Sequence, residues 1–150
     1  MLPSQVRRTI LDDHSWLREL LADTDEIARR VLEGDHSLAG RLRERAVAMR
    51  ERFLGHLRFE ETDLVPALRD ADDWGEERAT LLLADHAEQR ERFAALLDAL
   101  QQPRAHPGAL AADVRALVRD LVADMEQEER TMLADTVLRD DPVVVSPEPD

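Results

Sequence analysis

Apolar residues recur at steps of three and four along four long stretches of this chain, a spacing that is typical of amphipathic helices. Glycine and proline are few, and they mark breaks between the stretches at Gly34, Pro66 and the segment 103–108. At about 1.5 Å per residue, helices of about 27–31 residues are each roughly 40–46 Å long. The pattern therefore predicts an all-α fold, an up-down-up-down antiparallel four-helix bundle.

The predicted helices cover about residues 4–34, 37–66, 76–102 and 109–139. We assign residues 1–140 to the bundle. We expect residues 141–150, which are rich in proline and acid, to form a loose acidic C-terminal tail. The N-terminus meets acidic residues before an apolar stretch develops, and no stretch approaches the apolar length of a membrane span. We therefore expect a cytoplasmic protein without a targeting segment.

Composition excludes several classes of function. The formal net charge of −13 argues against nucleic acid or an anionic membrane as a partner, because both are themselves negative. The chain has no cysteine, which excludes zinc-thiolate sites, iron–sulfur clusters and cysteine nucleophiles. It also has no lysine and no tyrosine, which excludes lysine Schiff bases, phosphate-binding P-loops and tyrosyl chemistry.

Polar residues interrupt the apolar faces of the predicted helices. His14, His56, Glu60 and His86 all stand where an apolar residue is expected. An ionised carboxylate in a bundle core costs several kcal/mol unless it is paired or bound to a metal. These residues and one from the fourth helix fall in a single layer, roughly 8–17 Å from the end of the bundle that carries the turn after Pro66. Donors from four helices are therefore predicted to converge.

The residue types in this layer suit a metal ion. His56 and Glu60 are four residues apart, so one helix offers an imidazole and a carboxylate to the same ion. Imidazole and carboxylate donors without thiolate suit iron or manganese, and zinc also fits. Four-helix bundles are known to hold two metals bridged by carboxylates in their cores.

Two adjacent glutamates compete for the position on the fourth helix. Helical phase alone does not decide between Glu128 and Glu129. The stretch from Met125 to Glu129 aligns with the stretch from His56 to Glu60, and this alignment favours Glu129 as the inward residue.

These residues together resemble the hemerythrin-like, or HHE cation-binding, domain over about residues 5–139. The resemblance rests on His14, His56-x-x-x-Glu60-Glu61-x-x-Leu64-Val65-Pro66, His86 and Glu128-Glu129. It implies a four-helix bundle with a non-haem di-iron centre. Members of the family bind or sense oxygen, handle peroxide or nitric oxide, store or sense iron, or help to repair damaged iron centres.

The chain departs from the family pattern at two positions. The fourth helix of the family normally carries histidine where this chain has Met125, and the third helix often carries a second histidine where it has Arg90. Oxygen carriers of the family use five histidines, whereas this site offers three. Reversible oxygen carriage is therefore not expected, and oxidation chemistry or metal holding is favoured.

The resemblance implies a ligand set and a range of functions. His14, His56 and His86 would be terminal ligands, while Glu60 and Glu129 would be bridging or terminal carboxylates, around one or two iron ions. An open coordination position would accept a small diatomic or peroxide ligand. The implied function is the sensing or handling of oxygen species, nitric oxide or iron, with or without catalysis.

Two alternatives stay open. The first is a metal-free helical bundle that acts as a structural or interaction module. In that case a protonated His14 or His86 would pair with the carboxylates, and Met125 would fill the remaining space. The second is a non-catalytic iron store or sensor.

Overall fold

The computed structural model describes residues 1–102 and 106–141, and its regular structure within these ranges is helical without strands. The α-helices are α1 (Pro3–Leu32), α2 (Ala39–Phe59), α3 (Val65–Ala71), α4 (Gly75–Leu100) and α5 (Pro107–Thr131). A 3-10 turn, His36–Leu38, precedes α2, and a π-helical turn, Glu60–Leu64, joins α2 to α3. Because α2, the π turn and α3 follow one another without a break, the chain forms the predicted antiparallel four-helix bundle.

Helix ends fall where the chain chemistry favours them. Pro3 opens α1, where its missing N–H would have no intrahelical partner. Gly34 follows the end of α1 with a φ of 108°, a conformation that glycine adopts without steric cost. At the start of α5, Nδ1 of His106 accepts a hydrogen bond from the backbone N–H of Gly108 at 3.0 Å. These ends agree closely with the predicted boundaries of the first helix and the start of the fourth.

The end of the fourth helix differs from the prediction. We expected it near Arg139, but α5 ends at Thr131. Leu133 and Leu138 continue the apolar spacing, yet they are buried without helical structure and help to close the lower end of the core. Ser4 accordingly donates a hydrogen bond to Asp140 at 2.6 Å. The tail predicted at 141–150 lies, beyond residue 141, outside the described residues.

Two hydrophobic clusters fill the core, one on each side of the polar layer. On α1 the upper cluster begins at Leu17 and the lower cluster includes Ile10, so His14 lies between them. In the upper cluster the rings of Phe53 and Phe93 lie 5.5 Å apart between centroids. Burying each large apolar side chain stabilises the fold by about 1.5–3 kcal/mol, so the polar layer is held between two well-packed regions.

Within the described residues, none of the helices combines the length and the apolar character needed to cross a membrane.

Candidate metal centre

Four side chains converge at the centre of the polar layer. Ligand atoms of His14, His56, Glu60 and Glu128 all lie within 4.8 Å of one another. Nε2 of His14 is 3.2 Å from Nε2 of His56, which in turn is 2.9 Å from Oε1 of Glu60. Oε1 of Glu128 is 3.6 Å from Nε2 of His14. Helices α1, α2 and α5 and the π turn therefore each place one donor in a single small volume.

His86 approaches this group from α4. Its Nε2 lies 3.4 Å from Oε1 of Glu60, and the residue is 1 % exposed. His86 is not one of the four donors that lie within 4.8 Å of one another. The carboxylate of Glu60 thus stands between the four-donor group and His86.

The structure turns Glu128 inward and Glu129 outward, whereas the sequence alignment favoured Glu129. Oε2 of Glu129 lies 3.2 Å from Nδ1 of His14, on the outer side of that ring, and Arg18 donates to both oxygens at 2.6 Å. The alignment depended on matching Leu64 with Leu133, but Leu64 ends the π turn and Leu133 follows the end of α5. Glu60 lies in a wider π turn and Glu129 in regular α-helix, so equal spacing along the chain does not place their side chains on the same face.

The outer nitrogen of every inner histidine faces a carboxylate. Nδ1 of His14 faces Glu129 at 3.2 Å, Nδ1 of His56 faces Asp13 at 2.6 Å, and Nδ1 of His86 faces Glu61 at 3.2 Å. Each carboxylate is in turn paired with an arginine, which is Arg18 for Glu129, Arg52 for Asp13 and Arg90 for Glu61. We call Asp13, Glu61 and Glu129 the outer carboxylates.

The outer carboxylates are ionised near neutral pH. The hydrogen bond from His56 is the main cause that lowers the pKa of Asp13. Burial opposes ionisation of Glu61 and Glu129, but hydrogen bonds from their arginine and histidine partners outweigh it and lower both pKa values. An ionised carboxylate only accepts hydrogen bonds, so each histidine donates from Nδ1. A neutral ring in this arrangement presents the lone pair of Nε2 to the centre.

The inner group has strongly perturbed protonation equilibria. Burial favours neutral His56, but contacts with Asp13 and Glu60 raise its pKa to about 9. Burial and the nearby His56 together lower the pKa of His14. Burial likewise opposes ionisation of Glu60, yet contacts with Glu128 and His56 lower its pKa. Burial and the charge of Glu60 raise the pKa of Glu128.

The residues present fit a bound cation. Both oxygens of Glu60, Nε2 of His86 and Oε1 of Glu128 are buried and form no hydrogen bond of regular geometry among the described residues, although Oε1 of Glu60 lies 2.9 Å from Nε2 of His56. A buried polar atom without a partner costs about 1–3 kcal/mol. The lone pairs of two Nε2 atoms only 3.2 Å apart also repel each other unless a proton or a cation lies between them. A cation that prefers imidazole and carboxylate ligands would satisfy the donors of the four-donor group.

A family model, described as the hemerythrin HHE cation binding domain, matches residues 5–135. The chain belongs to the hemerythrin HHE cation-binding family. No curated protein matches the chain, and no solved structure does. Within this family the His/Glu group described above is a candidate metal-binding group of a non-haem protein.

Two consecutive glutamates of this hemerythrin-domain protein, Glu60 and Glu61, open the π turn. Pro66 lacks an N–H and cannot continue regular α-helical hydrogen bonding with the preceding turn. The chain accommodates Pro66 with the wider turn Glu60–Leu64 just before it, a feature that is frequent at functional sites. Glu60 then faces the centre while Glu61 reaches the outer side of His86.

Sequence reasoning did not single out Asp13 and Glu61, which contact His56 and His86. It singled out His14, and it quoted Glu61 only as part of the family motif. The signal that could have found both is their position directly beside His14 and Glu60. At the two departures from the family pattern, Met125 is 2 % exposed within the upper cluster, and Arg90 binds Glu61 at 2.6 Å.

Proposed function

We propose that the chain is a non-haem iron protein whose ligands are Nε2 of three histidines and the carboxylates of two glutamates. The histidines are His14, His56 and His86, and the glutamates are Glu60 and Glu128. The observation that carries this proposal is the fully buried carboxylate of Glu60, whose Oε1 lies 2.9 Å from Nε2 of His56 and 3.4 Å from Nε2 of His86. The absence of thiolate favours iron, with manganese and zinc as competing ions.

The donors divide into a primary and a secondary position. His14, His56 and Glu128 surround one side of Glu60, and His86 stands on another. In this proposal the first side would hold one ion, and a weaker position beside His86 would share the carboxylate of Glu60, whose Oε1 is near both His56 and His86. Glu129 takes the role of a hydrogen-bond partner to His14 in place of the ligand role that the sequence alignment favoured.

The proposed biological role is the sensing or handling of oxygen species, nitric oxide or iron in the cytoplasm. The metal supplies a centre that changes oxidation state and binds a small ligand. The protein supplies the ligands, fixes the orientation of the rings and keeps bulk water away with apolar layers above and below. The burial of His14, His56 and Glu60, none more than 3 % exposed, supports this exclusion of water.

Metal analysis of protein purified without chelator tests the proposal. We expect about one to two iron ions per chain, with anomalous scattering at the iron edge located among the five ligands. Glu60→Ala should abolish binding because it removes the shared carboxylate, whereas Glu51→Ala, at an exposed position on α2, should bind like the wild type. Unchanged metal content in Glu60→Ala would contradict the ligand assignment, and no metal after reconstitution would leave only the bundle.

A non-catalytic iron store or sensor would use the same ligands. Kinetic measurements on the iron-loaded protein distinguish this alternative from an enzyme. Turnover of peroxide by the iron-loaded protein would indicate catalysis. Iron release without turnover would indicate storage.

A further inference from the structure

Each outer carboxylate is the immediate sequence neighbour of an inner ligand. Asp13 precedes His14 and contacts His56, Glu61 follows Glu60 and contacts His86, and Glu129 follows Glu128 and contacts His14. The same arrangement thus occurs three times, on α1, in the π turn and on α5.

Helix geometry explains why one residue can face the centre while the next residue in the sequence contacts a histidine on another helix. Consecutive residues of an α-helix are about 100° apart around the axis, so one can point to the centre while the next points toward an adjacent helix. The contacts then run in order around the bundle, from α5 to α1, from α1 to α2, and from the π turn to α4. α1, the π turn and α5 each contribute a ligand and also place a carboxylate against a histidine of a neighbouring helix.

We propose that Asp13, Glu61 and Glu129 are positioning residues that set how tightly the centre holds its metal. This inference rests on the proposed function. Each carboxylate accepts the hydrogen of Nδ1, and this keeps Nε2 free as a metal ligand and fixes the ring against rotation. A carboxylate on the far side of an imidazole also makes it a stronger donor, and removal of such partners typically costs metal affinity.

The three contacts are not equal. Asp13 lies 2.6 Å from Nδ1 of His56, whereas the contacts of Glu61 and Glu129 are both 3.2 Å long. A hydrogen bond of 2.6 Å to an ionised carboxylate belongs to the strong, charge-assisted class. His56 is also a member of the four-donor group, and His86 is not. Asp13 should therefore affect the primary position most, and Glu61 should affect it least.

A titration with Co²⁺ alone tests this order, because bound Co²⁺ reports its ligand geometry through its visible absorption. The variants Asp13→Asn, Glu129→Gln and Glu61→Gln keep the side-chain shape and remove the charge. We expect Asp13→Asn to weaken the tighter Co²⁺ site by about 10–100-fold, Glu129→Gln to weaken it less, and Glu61→Gln to leave it within about twofold. Asp12→Asn and Glu126→Gln, at exposed positions on the same helices as Asp13 and Glu129, are the matched controls.

The spectrum at saturating Co²⁺ separates positioning from a general loss of stability. Reorientation of His56 should shift the absorption bands in Asp13→Asn but not in Asp12→Asn. Wild-type affinity in Asp13→Asn, or weaker affinity with unshifted bands, would overturn the positioning role while the metal site stands. Failure of the wild-type protein to bind either Co²⁺ or iron would instead overturn the proposed function itself.

Discussion

The two sides of the polar layer lie at the same height in the bundle but offer different numbers of donors. On the side formed by α1, α2 and α5, His14, His56 and Glu128 meet Glu60 within 4.8 Å. On the α4 side, His86 alone approaches Glu60. Both sides are deeply buried, so burial does not distinguish them. The difference indicates that the number of converging donors decides where an ion is held firmly.

The arginines around the polar layer do not add to this asymmetry. Arg90 stands one helical turn beyond His86 and binds both oxygens of Glu61, at 2.6 and 2.8 Å. Arg18 and Arg52 pair in the same way with outer carboxylates on the other side. The α4 side depends more strongly on the carboxylate of Glu60 because His86 is the one further donor named there.

Removing one histidine from each side should show the difference in metal binding between the two sides most clearly. We expect His56→Ala to weaken metal binding by more than about 100-fold, because it removes a ligand from the four-donor group. His86→Ala removes an equally buried imidazole, so it serves as the matched control and should retain one ion. Elemental analysis with isothermal titration measures both, and an equal loss in the two variants would contradict the division into primary and secondary positions.

Adding a donor from α5 should increase the number of bound ions. Met125→His places an imidazole where the family normally has one, so we expect up to about one additional ion per chain. Metal content per chain measures the gain. Met49→His, at a buried position in the upper cluster, controls for the insertion of a histidine into the core. No gain in Met125→His would mean that position 125 does not reach the centre.

The smallest expected effect is on the free energy of unfolding of the metal-free protein, and it comes from the charge on His56. The pKa of His56 is raised to about 9 from an ordinary value of 6.5, so its charged form stabilises the fold below pH 6.5. This stabilisation is lost as the pH rises from 6.5 to 9, and it amounts to at most about 3 kcal/mol. The raised pKa of Glu128 acts in the same direction.

Urea unfolding of metal-free protein at several pH values measures this loss. His56→Gln should show a flatter dependence between pH 6.5 and 9. The lowered pKa of His14 acts below its ordinary value of 6.5 and leaves this window undisturbed. Stability of the metal-free wild type that increases across the window would show that the assigned charge on His56 is wrong.

The sequence predicted the helices better than their ends. The apolar spacing was sufficient for the four-helix bundle, and the resemblance carried by the His/Glu motif was sufficient for the family; both are confirmed. The apolar spacing failed at the end of α5, because Leu133 and Leu138 continue a helical spacing although they close the core as an irregular segment. An apolar side chain is stabilised by burial whether or not its backbone is helical, so apolar spacing alone cannot locate the end of a helix.

By itself, the sequence determined that His14, His56, Glu60 and His86 interrupt the apolar faces at one height, because the rise per residue of a helix is constant. Only the tertiary structure decided that Glu128 rather than Glu129 faces the centre, and which carboxylate contacts which histidine. Neighbouring residues differ by about 100° around the helix axis, and a π turn or a helix end shifts that angle. The choice between them therefore depends on how the helices pack, which no spacing along the chain records.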